Sequence, residues 1–187
     1  MPIIAAEPLR AVVRAMCSAA GSTEYEAELV ADNLVMANLS GHDSHGVGML
    51  PAYFDNLHAG GLKVNQHAEV VRDEGAVLVV DGNAGFGQVI GKESMDIAIA
   101  RAKERGVCVL AIRNSHHLCR IGAWAEQCAA AGLVSMHHTN VTGHGGIVAP
   151  FRGSDGRYVT NPYTAVMPAT ENNPATLLDF ATSFVAV

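Results

Sequence analysis

Between Glu7 and Ala20 the apolar residues Leu9, Val12, Val13 and Met16 recur at three- and four-residue spacing, and Gly21 follows them. This spacing predicts a helix closed by the glycine. Ser22-Thr23 opens a second helix, with Thr23 and Glu26 at the spacing of a capping box, and Leu29, Val30, Leu34 and Met36 carry it to about Ser40. The segment Gly41 to Pro51 is polar and then glycine-rich. It leads into Ala52-Tyr53-Phe54 and a third short helix that ends at Gly60-Gly61. Residues 1–75 are therefore expected to form an N-terminal helical unit.

Residues 76–187 alternate instead. Ala76 to Val80 is an uninterrupted apolar run ending at Asp81-Gly82, as a buried strand would be. Glu93 to Arg105 is amphipathic at helical spacing. Val107 to Ile112 reads as a second strand, Ile121 to Ala131 as a helix stopped by Gly132, and Leu133 to Met136 as the start of a third strand. This βαβαβ order predicts an α/β unit with a parallel or mixed sheet and packed helices. The stretch from Thr142 to Thr176 reads as loop or short strand, and Leu177 to Ala181 as a last strand.

The 187 residues are 49% hydrophobic and 16% charged, enough apolar material for a core, and only 5% aromatic, so that core must be aliphatic. The formal charge of −6 and the lack of any Lys/Arg cluster argue against a nucleic-acid surface. Charge or glycine interrupts every apolar run before membrane-spanning length, and the N-terminus does not read as a secretory signal. Cys17, Cys108, Cys119 and Cys128 show no CxxC spacing, so free thiols and a cytoplasmic location are expected. The final run Phe184-Val185-Ala186-Val187 is apolar, and from it we expect the chain to be part of something longer.

Ligands of open α/β sheets gather just past the carboxyl ends of strands. Polar clusters fall at such places: Asn114-Ser115-His116-His117 after the second strand and His137-His138-Thr139-Asn140 after the third. Thr160-Asn161-Pro162 is a further cluster, and Asp43-Ser44-His45-Gly46 comes from the helical opening. A metal site is not expected, because adjacent histidines on a strand point to opposite faces and no HExxH or Cys-His zinc spacing is present. The segment Asp81 to Gly87 runs GxxGxG rather than GxGxxG, and reads as a tight loop using glycine for unusual backbone angles. Ser44 and His45 are neighbours in sequence and no GxSxG is present, so proton transfer suits His45 better than service in a hydrolase.

Several of these segments occur together in one order: Asp43-Ser44-His45-Gly46-Val47 with Leu50-Pro51-Ala52-Tyr53, Val80-Asp81-Gly82, Asn114-Ser115-His116-His117, Ala131-Gly132-Leu133, Thr160-Asn161-Pro162 and Leu178-Asp179-Phe180-Ala181-Thr182-Ser183. In that order, over almost the whole chain, the sequence resembles the type-2 malate/L-lactate dehydrogenase family. The resemblance implies an α/β, non-Rossmann fold and a dehydrogenase that uses NAD or NADP to interconvert a small 2-hydroxy acid and its 2-keto acid. It implies that His45 is the proton donor and acceptor, with Ser44 beside it. It places His116 in the same pocket, as the acid/base of some members. Asn140, Thr160, Asn161 and the segment Leu178, Asp179, Phe180, Ala181, Thr182 and Ser183 are implied as dinucleotide contacts. A homodimer with the active site near the subunit interface is implied as well.

The sequence departs from the family pattern at three places. Met49 stands where many members carry an arginine suited to a substrate carboxylate, which leaves Arg120 as the candidate for that role. Cys119 and Val159 stand where glycine is common. Family members are also longer. The contrasting expectation is an inactive remnant that binds dinucleotide weakly or not at all and, with its sheet edge uncovered, self-associates.

Overall fold

The computed structural model describes residues 3–142 and 145–183, so the apolar run Phe184–Val187 lies outside the described residues. The chain divides into two compact units, residues 1–120 and 121–187.

The first unit opens with α1 (Ala6–Ala19), α2 (Glu24–Leu39) and α3 (Leu50–His58). Two single 3₁₀ turns, Asp43–His45 and Val47–Met49, lie between α2 and α3. Helix α1 packs along α2. The α2 residues Ala27, Val30, Ala31 and Leu34 are fully buried against Val13 and Cys17 of α1 and against Leu50 and Tyr53 of α3. A side chain the size of Val30 or Leu34 contributes roughly 1.5–3 kcal/mol on leaving water. The capping box forms only in part. Thr23 Oγ1 accepts the Glu26 N–H at 3.4 Å, but the Glu26 carboxylate does not reach back to Thr23. It turns inward, accepting from Ser22 Oγ at 2.7 Å and from the Asn65 N–H at 2.8 Å. The Thr23 N–H donates to Asn65 Oδ1 instead. Burial raises the Glu26 carboxyl above its ordinary range against the pull of these bonds.

A three-stranded sheet completes this unit: β1 (Glu69–Glu74), β2 (Val77–Asp81) and β3 (Val109–Arg113), in that order. β1 and β2 form an antiparallel hairpin, and α4 (Gly87–Arg105) carries the chain from β2 to the parallel strand β3. Its C-cap Gly106 adopts φ +84°. The parallel register pairs Asp81 with Arg113, so both strands end at the same level and release their loops side by side.

The second unit consists of α5 (Gly122–Ala130) on a separate antiparallel sheet of β4 (Ser135–His138), β5 (Tyr163–Met167) and β6 (Thr176–Phe180). The βαβαβ expectation of one continuous sheet is thus corrected, because β4 pairs with β5 rather than with β3. One strand is not legible in the sequence: every residue of β1 is exposed, so it carries no apolar signal. β5 is a five-residue strand within the stretch read as loop or short strand. No described helix is long and apolar enough to cross a membrane, and the four cysteines are free thiols.

Candidate functional site

The loops leaving β2 and β3 are bound to each other. Asp81 Oδ1 accepts from the Asn83 N–H at 2.9 Å and from Asn114 Nδ2 at 3.0 Å, while Oδ2 accepts from Arg113 Nε at 2.9 Å. These donors, the Asn83 N–H foremost, hold the Asp81 carboxyl below its ordinary range. Backbone bonds from Gly82 N to Arg113 O, Ala84 N to Asn114 O and His116 N to Gly85 O complete the seam. The glycines of this segment serve close approach, which corrects the expectation of unusual angles. The positive φ values fall on Asn83 (51°) and Ala84 (59°), not on Gly82, Gly85 or Gly87. A Cβ on Gly82 would lie 3.0 Å from Asn114 O, one on Gly85 2.6 Å from Gln66 Cβ, and one on Gly87 would overlap the carbonyl of His117. The glycine-rich loop is the seat of the histidine loop.

The Ser44-His45 segment is held in a similar way. Asn38, near the end of α2, donates to Asp43 Oδ1 at 2.6 Å and accepts the Val47 N–H at 2.9 Å. Gly46 lies so close to the Asn38 side chain that any Cβ there would overlap it. His45 is presented from the resulting turn with Nδ1 2.9 Å from Ser44 Oγ.

These two loops bring His45 within 5.1 Å, ring to ring, of His117. His117, rather than His116, is therefore the loop histidine that meets His45. Counted as Asn-Ser-x-His, the motif itself puts its histidine at position 117. His117 Nδ1 lies 2.7 Å from the hydroxyl of Tyr53, which is fully buried. Burial, with His45 and His116 adding repulsion, lowers the His117 imidazole from 6.5 to about 4. His116 packs edge-on to the Tyr53 ring at 5.3 Å. Its Nδ1 is buried without a partner, and burial lowers its basicity too.

Neither Tyr53 nor Gln88 stands out as a site residue in the sequence: Tyr53 reads as a position of the third short helix, and Gln88 falls between the glycine-rich loop and the helix read from Glu93, whereas α4 starts at Gly87. Buried Gln88, in the first turn of α4, donates from Nε2 to Tyr53 Oη at 3.2 Å and to Cys119 Sγ at 2.8 Å. Cys119 takes φ +58°, the left-handed conformation that suits the glycine common at its position. Burial pushes its thiol up to about 12. Met49 packs against the core of the first unit. Arg120 is buried, 6% exposed. Among the described residues, no group of three or more His, Cys, Asp or Glu could hold a metal ion.

In the second unit the expected dinucleotide residues converge on one end of the sheet. His138, Tyr163 and Phe180 stand in register across β4, β5 and β6, so Asn140, Thr160-Asn161 and Ala181-Thr182-Ser183 all lie beyond the same end. Thr182 clamps the neighbouring loop. Its N–H donates to Thr160 O at 3.1 Å and its hydroxyl to Asn161 O at 2.9 Å. Asn140 and Asn161 line an open cleft with Gly146, Arg157 and Val159, and Asn161 Oδ1 is buried there without a partner. An unsatisfied amide oxygen, a second asparagine and a guanidinium fit the donor and acceptor needs of a nucleotide.

The β6 residues differ in what they can offer. Leu178 and Phe180 are 51% and 43% exposed on one face. Asp179, on the other face, has both carboxylate oxygens engaged within the unit. Oδ1 accepts from Thr164 Oγ1 at 2.6 Å, and Oδ2 accepts from the Gly122 N–H at the start of α5 at 2.9 Å.

A model of the malate/L-lactate dehydrogenase family matches residues 4–187. The chain is 49% identical over 181 residues to hydroxycarboxylate dehydrogenase B of Escherichia coli (strain K12), covering 97% of this chain and 50% of that protein. It is 40% identical over 161 residues to an L-lactate dehydrogenase of Cupriavidus necator, covering 86% and 46% of the two chains. Among solved structures, the malate dehydrogenase of Pyrococcus horikoshii superposes with a TM-score of 0.90 at 35% identity, over 98% of this chain and 51% of that one. The sulfolactate dehydrogenase of Methanocaldococcus jannaschii superposes with a TM-score of 0.91 at 32% identity, over 99% and 52%. The chain thus spans about half the length of the relatives it matches. With the motifs, the fold and the histidine loops in agreement, the chain belongs to the malate/L-lactate dehydrogenase family.

Proposed function

We propose that this chain supplies the acid–base and nucleotide-binding residues of a dehydrogenase that interconverts a small 2-hydroxy acid and its 2-keto acid with NAD or NADP. The observation that carries this reading is the pairing of His45 with His117, two imidazoles 5.1 Å apart on loops that α2, β2 and β3 hold rigidly. A bound nicotinamide supplies the hydride acceptor for the carbon that carries the hydroxyl.

The chain's own residues handle the proton. Ser44 engages His45 Nδ1 and orients the ring, and His45 takes the proton from the substrate hydroxyl or returns it to the keto oxygen. The low basicity of His117 keeps it neutral near pH 7, so it does not compete for that proton. Asn140, Asn161 and Arg157 would hold the dinucleotide, with Thr182 fixing the loop that carries Asn161. Asp179 supports α5 and β5 rather than the nucleotide directly. Arg120 is the proposed partner of the substrate carboxylate, and a homodimer the proposed assembly.

The test is to follow NADH and NADPH absorbance with a polypeptide containing this segment, over malate, lactate, sulfolactate and their keto acids. Turnover of at least one such pair is expected. Binding of neither dinucleotide and turnover of none of these acids would favour an inactive remnant instead.

A further inference from the structure

The hydroxyl of Tyr53 sits at the centre of a buried polar cluster in which the protons can be counted. Gln88 Nε2 has two hydrogens and directs them at two acceptors, Tyr53 Oη at 3.2 Å and Cys119 Sγ at 2.8 Å. The Cys119 thiol has the backbone carbonyl of His117 as an acceptor at 3.8 Å. Tyr53 Oη therefore receives a proton from Gln88 and has its own to give to one of two neighbours, Cys119 Sγ at 3.1 Å or His117 Nδ1. The acceptor within best reach is His117 Nδ1 at 2.7 Å. An imidazole nitrogen that accepts is unprotonated, so in the neutral ring the proton must reside on the other nitrogen.

We propose that Gln88 and Tyr53 are positioning residues that lock His117 as its Nε2–H tautomer, making it a fixed hydrogen-bond donor to the reacting oxygen of the substrate while His45 alone moves the proton. This deepens the dehydrogenase reading above and rests on it for the identity of the reacting oxygen. The surroundings of His117 support a neutral ring. Burial comes first among the causes, and the two titratable groups facing it besides Tyr53 and Cys119 are the imidazoles of His45 and His116, neither of which favours a second cation. A neutral imidazole that polarises a carbonyl without transferring its proton is an established catalytic device. In this arrangement no bond to hydrogen breaks at His117. The donor bond shortens as negative charge grows on the substrate oxygen, and His45 exchanges the proton.

The experiment is a long-range ¹H–¹⁵N spectrum of the histidine side chains of this chain at pH 7, with the His117 ring assigned by its disappearance in His117→Gln. The expected result is a single neutral tautomer for His117, with Nε2 protonated and Nδ1 not. In Tyr53→Phe, and in Gln88→Met should the first variant fail to fold, the His117 signals are expected to move toward the averaged positions of a tautomer mixture, with the other histidines unchanged. A His117 ring protonated on Nδ1 in the parent chain overturns the proposal. So does a tautomer that stays fixed in a folded Tyr53→Phe or Gln88→Met variant. The spectrum needs no turnover, so failure of the dehydrogenase assay would overturn that reading without touching this result, and the reverse holds equally.

Discussion

Gly87 faces the carbonyl oxygen of His117 with no room between them for a methyl group. The contact joins the first residue of α4 to the loop that presents the histidine, and the space is fixed by backbone on both sides. Neither partner can yield as a flexible side chain would. Gly87→Ala is therefore expected to displace the His117 loop and to cost about 1–3 kcal/mol, the usual range for overpacking a tight site. Chemical denaturation measures the cost, and an unchanged midpoint would mean that the loop relaxes freely.

The assignment of proton transfer to His45 predicts a loss of turnover in His45→Ala by a factor of about 10²–10⁴, the range of general acid–base catalysis. Binding of the reduced dinucleotide should persist, since the residues proposed to hold it lie in the second unit. Steady-state kinetics beside a fluorescence titration separates the two effects. Turnover equal to that of the parent would move the proton to another group.

His117 also makes stability depend on pH. Its folded value of about 4 lies below the ordinary histidine value of 6.5, so between these limits the unfolded chain binds more protons than the folded one. Stability must then rise with pH through that window and fall on acidification, by up to roughly 3 kcal/mol for the full interval. His116 and His137, also lowered by burial, act in the same direction. Denaturation midpoints from pH 7 to pH 4 should fall less steeply for His117→Gln than for the parent, and parallel curves would remove His117 from the account.

Asp179 gives a prediction that separates support from ligand contact. Asp179→Ala leaves Thr164 Oγ1 and the Gly122 N–H without their acceptor, and Thr164 is fully buried. Hydrogen bonds to a charged group contribute about 1.5–3 kcal/mol each, so a clear drop in stability is expected in the absence of any dinucleotide. A variant of parental stability that binds NADH poorly would return Asp179 to the nucleotide.

Arg157 is the cation of the second-unit cleft, 3.1 Å from the Asp155 carboxylate on the surface. Arg157→Ala should weaken NADH or NADPH binding by about tenfold, the equivalent of one charge-assisted hydrogen bond, and leave the fold intact. Fluorescence titration against both dinucleotides measures it. Equal affinity in the variant would remove Arg157 from the nucleotide contacts.

Much of this molecule can be read in the sequence, to different depths. Helices α1, α2 and α3 follow from apolar spacing and from Thr23 and Gly21, because each buries one face in a single core. The edge strand β1 could not be read, since Glu69 to Glu74 bury nothing and hydrogen bonding to β2 alone makes them a strand. The candidate histidines were legible as motifs, and the count Asn-Ser-x-His already points to His117, the ring that Tyr53 holds. Gln88 was not legible. It falls between the glycine-rich loop and the helix read from Glu93, and only the fold shows that α4 starts at Gly87 and buries it.

The second sheet carries apolar side chains toward both faces, with Met136, Leu178 and Phe180 on one side and Val166 on the other. Hydrophobicity alone therefore distinguishes poorly between correct pairing and a slip of one residue. His137, Thr164 and Asp179 stand abreast across β4, β5 and β6, and the last two are bonded. A one-residue slip of β6 would swing Asp179 to the opposite face, away from Thr164 and the start of α5. The carboxylate thus favours the native register over a slipped one that apolar contacts alone would tolerate.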